Sequence, residues 1–204
     1  MRLWLATAAL FAVCASCVGV AYADEYPFMR LGREAFLAPI GQYEFCAAHT
    51  EDCAPVPLGE QTRVRITRRG FKELFRVNRL VNIVIKPLSD LENYGEVEKW
   101  AYPDNGYGDC EDLASLKKKL LVGAGWPRGA LVLAAVYEEK TRTGHVLLIV
   151  RTNIGDYALD NRTNDIVRWD RIKDYYWSKL QSAHDPRVWR YIEQEPLILS
   201  SFKN

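Results

Sequence analysis

The chain has 204 residues, 49% of them hydrophobic, 26% charged and 12% aromatic, which is enough apolar content for one full-sized core. That composition excludes a largely disordered chain. The formal charge of +1 leaves no global basic field, and so removes the usual electrostatic route to nucleic acid or anionic lipid.

Met1-Arg2, an apolar run from Leu3 to Val20 and the small-residue pattern Ala21-Tyr22-Ala23 have the three-part form of a secretory signal. Residues 1–23 are therefore expected to be removed on export, leaving a mature domain over 24–204 that is not inserted in a membrane. An uncleaved N-terminal anchor is the other reading, because the apolar run is almost long enough to span a bilayer. Between Asp24 and Leu58 Pro and Gly are frequent and periodicity is weak, so this stretch is expected to be loop that covers the core. Cys14 and Cys17 lie inside the signal. Of the three remaining cysteines, Cys46 and Cys53 are close in sequence and form the natural disulfide pair in an oxidising compartment, which leaves Cys110 free. A zinc site of Cys46, His49 and Cys53 lacks a fourth ligand nearby.

From Gly59 to Ile85 the residues Ile66, Phe71, Leu74, Phe75, Val81 and Val84 recur at helical spacing. They predict a long helix, broken at Gly70, whose solvated face carries Arg63, Arg65, Arg68 and Arg69. Lys86-Pro87 ends it, and a turn-dense segment runs on to Gly108. A second amphipathic helix opens at Cys110, carries Leu113, Leu116, Leu120 and Leu121, and stops at Gly123-Ala124-Gly125. Strand character follows at Ala130–Tyr137, Val146–Thr152, Tyr157–Leu159 and Ile166-Val167, with loops short enough for an antiparallel meander. The tail from Asp170, with Tyr175, Tyr176, Trp177, Trp189 and Tyr191, is expected to pack helices back on the sheet. The fold class is α+β, with the Cys110 helix packed on an antiparallel sheet.

The chemistry concentrates in Gly108-Asp109-Cys110-Glu111-Asp112, one thiol among three carboxylates at a helix start. A cysteine used as core filler has apolar neighbours, so this one reads as reactive. The helix N-terminus favours thiolate, while the acids oppose it. An imidazole must take the proton, and His145 is the best placed of three histidines, because it opens the apolar strand Val146 to Val150. His49, in the cysteine loop, and His184, before Asp185-Pro186, are expected at the surface. A hairpin turn at Asn153-Ile154 sets His145 opposite a position near Arg162, close to Asp160, the candidate for holding the other ring nitrogen. The acids Asp109, Glu111 and Asp112 suit a hard divalent cation, most simply Ca²⁺, with Asp104, Asn105 or loop carbonyls completing the set. The plainer reading is that they complement the helix dipole.

At Gly108-Asp109-Cys110-Glu111-Asp112-Leu113-Ala114, Gly144-His145-Val146-Leu147-Leu148 and Leu159-Asp160-Asn161, the chain resembles the bacterial transglutaminase-like cysteine proteinases. The resemblance extends upstream through Phe45-Cys46, Val81-Asn82 and Trp100-Ala101-Tyr102-Pro103. It implies a papain-like, transglutaminase-like core, a catalytic triad of Cys110, His145 and Asp160, a periplasmic location, and Ca²⁺ on Asp109, Glu111 and Asp112. It also implies a protein substrate, of which a large surface adhesin is the type met in the family, and control by an inner-membrane receptor. Two other functions remain open at this point: a transamidase using the same triad, and a non-catalytic periplasmic module that binds calcium or a partner.

Overall fold

The computed structural model describes residues 27–193; the signal expected over residues 1–23 lies outside them. In chain order the elements are β1 (Arg30–Leu37), α1 (Ile40–Ala48), α2 (Arg68–Val84), β2 (Lys86–Pro87), α3 (Asp90–Tyr94), β3 (Tyr107–Gly108) and α4 (Cys110–Gly123). They continue as β4 (Leu131–Glu138), β5 (Thr143–Thr152), β6 (Gly155–Leu159), β7 (Ile166–Arg168), β8 (Tyr175–Gln181) and β9 (Val188–Glu193). Seven strands form one antiparallel sheet in the order β1-β9-β8-β4-β5-β6-β7.

The central strands are apolar at nearly every position, as a strand buried on both faces must be. Leu131, Leu133, Leu148, Val150 and Leu159 join a core with Leu74 of α2 and Ala114 and Leu121 of α4. The alternate residues Val132, Ala134, Val136, Leu147, Ile149 and Ala158 turn to the other face and pack with Trp169, Tyr175, Trp177 and Leu180. Helix α4, which opens at Cys110, therefore lies on one face of a two-sided sheet, against β5 and α2. The hairpin between β5 and β6 turns at Asn153-Ile154 as the sequence predicts, pairing Thr152 with Gly155 and Leu148 with Leu159.

Several expectations are corrected. Residues 24–58 are not only covering loop: they supply edge strand β1, helix α1 and the core residues Met29, Phe45, Cys46, Cys53 and Val56. The exposed, irregularly paired edge strand masks their period in sequence. The helix expected from Gly59 begins at Arg68, where the Thr67 hydroxyl caps it by accepting from Gly70 N–H at 3.1 Å, and Gly70 does not break it. The residues before it form turn and bend, with Val64 bridging Thr152 in parallel. Arg63 is not part of a solvated face, since its guanidinium binds Asp156 at 2.7 Å and stacks on Phe28. The tail makes strands β8 and β9 rather than helices, extending the meander with Trp189 fully buried and its Nε1–H on Gln42 at 2.6 Å.

Cys46 and Cys53 are joined by a disulfide across a sequence separation of seven. Closing so short a loop restricts the unfolded chain by about 2.5 kcal/mol on the chain-entropy account. No helix among the described residues is long and apolar enough to cross a membrane.

Candidate active site

Cys110 is the first residue of α4 and the free cysteine of the described residues, half-buried at the helix mouth. Gly108 makes its approach feasible: a Cβ there would fall 2.8 Å from Asp112 Oδ2 and 3.2 Å from Pro103 Cβ. Gly108→Ala is expected to cost about 1–3 kcal/mol in chemical denaturation, because Asp112 or the Pro103 segment must shift. The Cys110 sulfur donates to Glu111 Oε2 at 2.9 Å and accepts from Val146 N–H at 3.4 Å. The second contact lays the thiol against β5 one residue from His145.

His145 is buried, and its Nε2 shares a hydrogen bond with Asp160 Oδ1 at 2.9 Å, which leaves Nδ1 as the other ring nitrogen. Asp160 follows the last residue of β6, where Arg162 N–H donates to Oδ1 at 3.0 Å and the Tyr175 hydroxyl to Oδ2 at 2.6 Å. Burial alone would push this carboxyl up, but the hydrogen bonds from His145, Tyr175 and Arg162 outweigh it and hold it below the usual range. Asn82 of α2 pins the same loop, donating to the Asp160 carbonyl at 2.9 Å. Lys117, buried two turns along α4, is driven down to about 7 by burial, with Asp160 pulling the other way. His49 stacks with Phe45 and Tyr102 beside the disulfide, and His184 is exposed; neither joins this group.

The helix dipole does not win at the thiol. Burial first, and then the Glu111 carboxylate, push Cys110 well above the ordinary range, against a smaller lowering by Val146 N–H. The acids themselves are in conflict: burial and the Glu111 charge push Asp109 up to about 8, and burial with Asp109 pushes Asp112 up to about 7. Asp109 and Asp112 come together as expected, but their third partner is Asp90 of α3, one oxygen of each lying within 4.8 Å of the others. Glu111 belongs instead to a neighbouring cluster with Asp109 and the thiol. Asp90 Oδ1, Asp109 Oδ1 and Asp112 Oδ2 are buried without a hydrogen-bond partner among the described residues, a donor set that fits a hard divalent cation. The backbone holds the other oxygen of two of them, Asp112 by Ala101 N–H at 2.7 Å and Asp90 by Lys99 N–H. That is the role of the Trp100-Ala101-Tyr102-Pro103 segment, which Tyr102 ties to Asp52 of the disulfide loop at 2.9 Å.

Sequence reasoning passed over Asp90 and Tyr175. A signal for the first was present in Ser89-Asp90-Leu91-Glu92, where Ser89 Oγ accepts from Glu92 N–H and bonds its carboxylate, a capping box that marks Asp90 as helical rather than turn. Nothing in the tail distinguished Tyr175 from its aromatic neighbours.

No curated protein sequence matches the chain. Among solved structures, calcium-bound Legionella pneumophila LapG superposes with a TM-score of 0.52 at 21% identity, over 63% of this chain and 74% of that one. EGTA-treated LapG from the same organism gives 0.51 at 21%, over 62% and 69%. These likenesses show a shared fold of helices and antiparallel sheet. The model of the bacterial transglutaminase-like cysteine proteinases matches residues 33–196, and the chain belongs to that family of cysteine peptidases.

Proposed function

We propose that the protein is a periplasmic, calcium-dependent endopeptidase in which Cys110 is the nucleophile, His145 the base and then the acid, and Asp160 the group that orients the imidazole. The observation that carries this is the His145–Asp160 hydrogen bond at 2.9 Å, one residue from the backbone N–H that contacts the Cys110 sulfur. With Nε2 committed to Asp160, Nδ1 takes the thiol proton. The ionised Asp160 stabilises the imidazolium that results. Sulfur attacks the peptide carbonyl, and the imidazolium returns its proton to the leaving amine as the C–N bond breaks. The same base then takes a proton from water, which attacks the thioester, and the C–S bond breaks to release the acid product and return the thiol. The first amides of α4 have no carbonyl one turn back to bind, and so face the developing oxyanion.

Asp90, Asp109 and Asp112 would hold Ca²⁺, with Glu111 alongside, and the ion would supply positive charge beside a thiol now opposed by carboxylates. LapG, which shares the fold, exists in a calcium-bound form, in keeping with this reading. Residues 1–23 serve as the export signal and 24–204 as the mature peptidase. As a protease the protein acts on protein; the substrate class is exported surface protein, a large adhesin above all, under control of an inner-membrane receptor.

The test is incubation of the mature protein and its Cys110→Ala variant with the outer-membrane fraction of the source cell, in calcium and in chelator. New N-termini are expected only with intact Cys110 and calcium. A digest identical for the two proteins would remove the assignment.

A further inference from the structure

We propose that Tyr175 is a positioning residue of the peptidase, its hydroxyl fixing the Asp160 carboxylate in the one rotation that keeps Oδ1 on His145. This rests on the triad reading above and adds a fourth member to it.

The two oxygens of Asp160 have separate duties. Oδ1 serves His145 Nε2 at 2.9 Å and Arg162 N–H at 3.0 Å, and among the described residues Oδ2 serves the Tyr175 hydroxyl alone at 2.6 Å. Asp160 is only 3% exposed, so solvent is not at hand to replace a lost donor. A carboxylate turns easily about its last torsion, which is broad and twofold. Without the phenol, Oδ2 becomes a buried charged oxygen with no partner, and the group gains by rotating or by taking up a proton. Either response loosens its hold on the imidazole.

The hydroxyl matters beyond the ring that carries it. Tyr175 enters from β8, two strands from β5, with β4 between them. Its ring lies 5.5 Å from that of His145, tilted by 53°, and 6.1 Å from that of Trp177, so packing alone would be met by phenylalanine. Burial and the adjacent Asp160 push the phenol above its ordinary range, which keeps it a proton donor throughout the working pH of the enzyme. The other charged groups facing this carboxylate leave the task to it. Lys117 of α4 is buried and driven toward neutrality, and the Arg162 guanidinium is spent on Glu138 of β4 at 3.1 Å.

The experiment compares wild type, Tyr175→Phe and Asp160→Asn, each with calcium, by three measurements: iodoacetamide alkylation of Cys110 at neutral pH, the downfield proton resonance of the His145 Nε2–H, and Tm. For Tyr175→Phe alkylation is expected to slow by about tenfold, the loss of one hydrogen bond to a charged group. The Nε2–H resonance should move upfield and exchange faster with water, while Tm falls by about 5–10 °C, which leaves the protein folded for assay. Asp160→Asn should change both readouts further in the same direction. Wild-type alkylation and an unmoved resonance in Tyr175→Phe, beside an altered Asp160→Asn, would overturn the role of Tyr175 and leave the triad standing. An Asp160→Asn protein that matches wild type in both would overturn the triad and the Tyr175 role together.

Discussion

Cys110→Ala and His145→Ala are each expected to lower kcat by about 10⁵-fold, and the double variant to lose no more than either alone. Nucleophile and base act as a unit, so once either is gone the other has nothing to do. Asp160→Asn should be milder, about 10³- to 10⁴-fold, because it leaves the sulfur and imidazole in place and spoils the ring's tautomer and charge balance. Cys110 is half-buried at a helix start, and alanine there should leave Tm near wild type. His145→Ala strips one donor from Asp160 but leaves Tyr175 and Arg162 N–H, so the folded state survives for assay. The measurement is turnover of the substrate found by its new N-termini. Losses that add in the double variant would mean that thiol and imidazole do not work on the same step.

Short-range pattern carries much of this fold and stops at a recognisable distance. The continuous apolar runs of β4 and β5, the Asn153-Ile154 turn and the Leu113 to Leu121 stripe of α4 are each local, and each is legible because periodicity and turn chemistry act within about ten residues. The juxtaposition of His145 and Asp160 follows from that one hairpin register. Asp90 does not. It reaches Asp109 and Asp112 because two residues, Lys86 and Pro87, pair in parallel with Tyr107 and Gly108, a crossover that no local period announces. The tail failed for another reason. β8 pairs with β4 through an irregularity at Ala135/Val136, so its buried residues, Tyr175, Trp177, Leu180 and Gln181, break the alternation that would have marked a strand. Glu111 was legible as an acid beside the thiol, but its side chain lies with the sulfur rather than with the Asp90 group, a choice of rotamer that sequence does not encode.

Metal-free protein is expected to lose thermal stability as pH rises from about 5 to 8, and calcium to restore more of it at the upper end. Burial pushes Asp90, Asp109 and Asp112 up, the last two to about 8 and about 7. In the unfolded chain such carboxyls ionise near 4. A folded value above the unfolded one means that the native state holds its protons more tightly. That contribution is complete below about pH 4 and is lost as pH climbs through the folded values, where three buried carboxylates must carry charge together. A divalent cation takes over the neutralising role that protons fill at low pH, and the two compete for the same oxygens, so the apparent Kd for calcium should rise as pH falls. At pH 8, calcium a hundredfold above its Kd should raise Tm by about 5–10 °C. Asp90→Asn tests the ligand group away from the thiol, since it removes one charge without touching Cys110 or its neighbours in sequence. It should weaken calcium by at least about tenfold in titration calorimetry and flatten the fall in Tm with pH. A calcium-induced gain in Tm that is the same at pH 5 and pH 8, or unchanged by Asp90→Asn, would take these three oxygens out of the cation site.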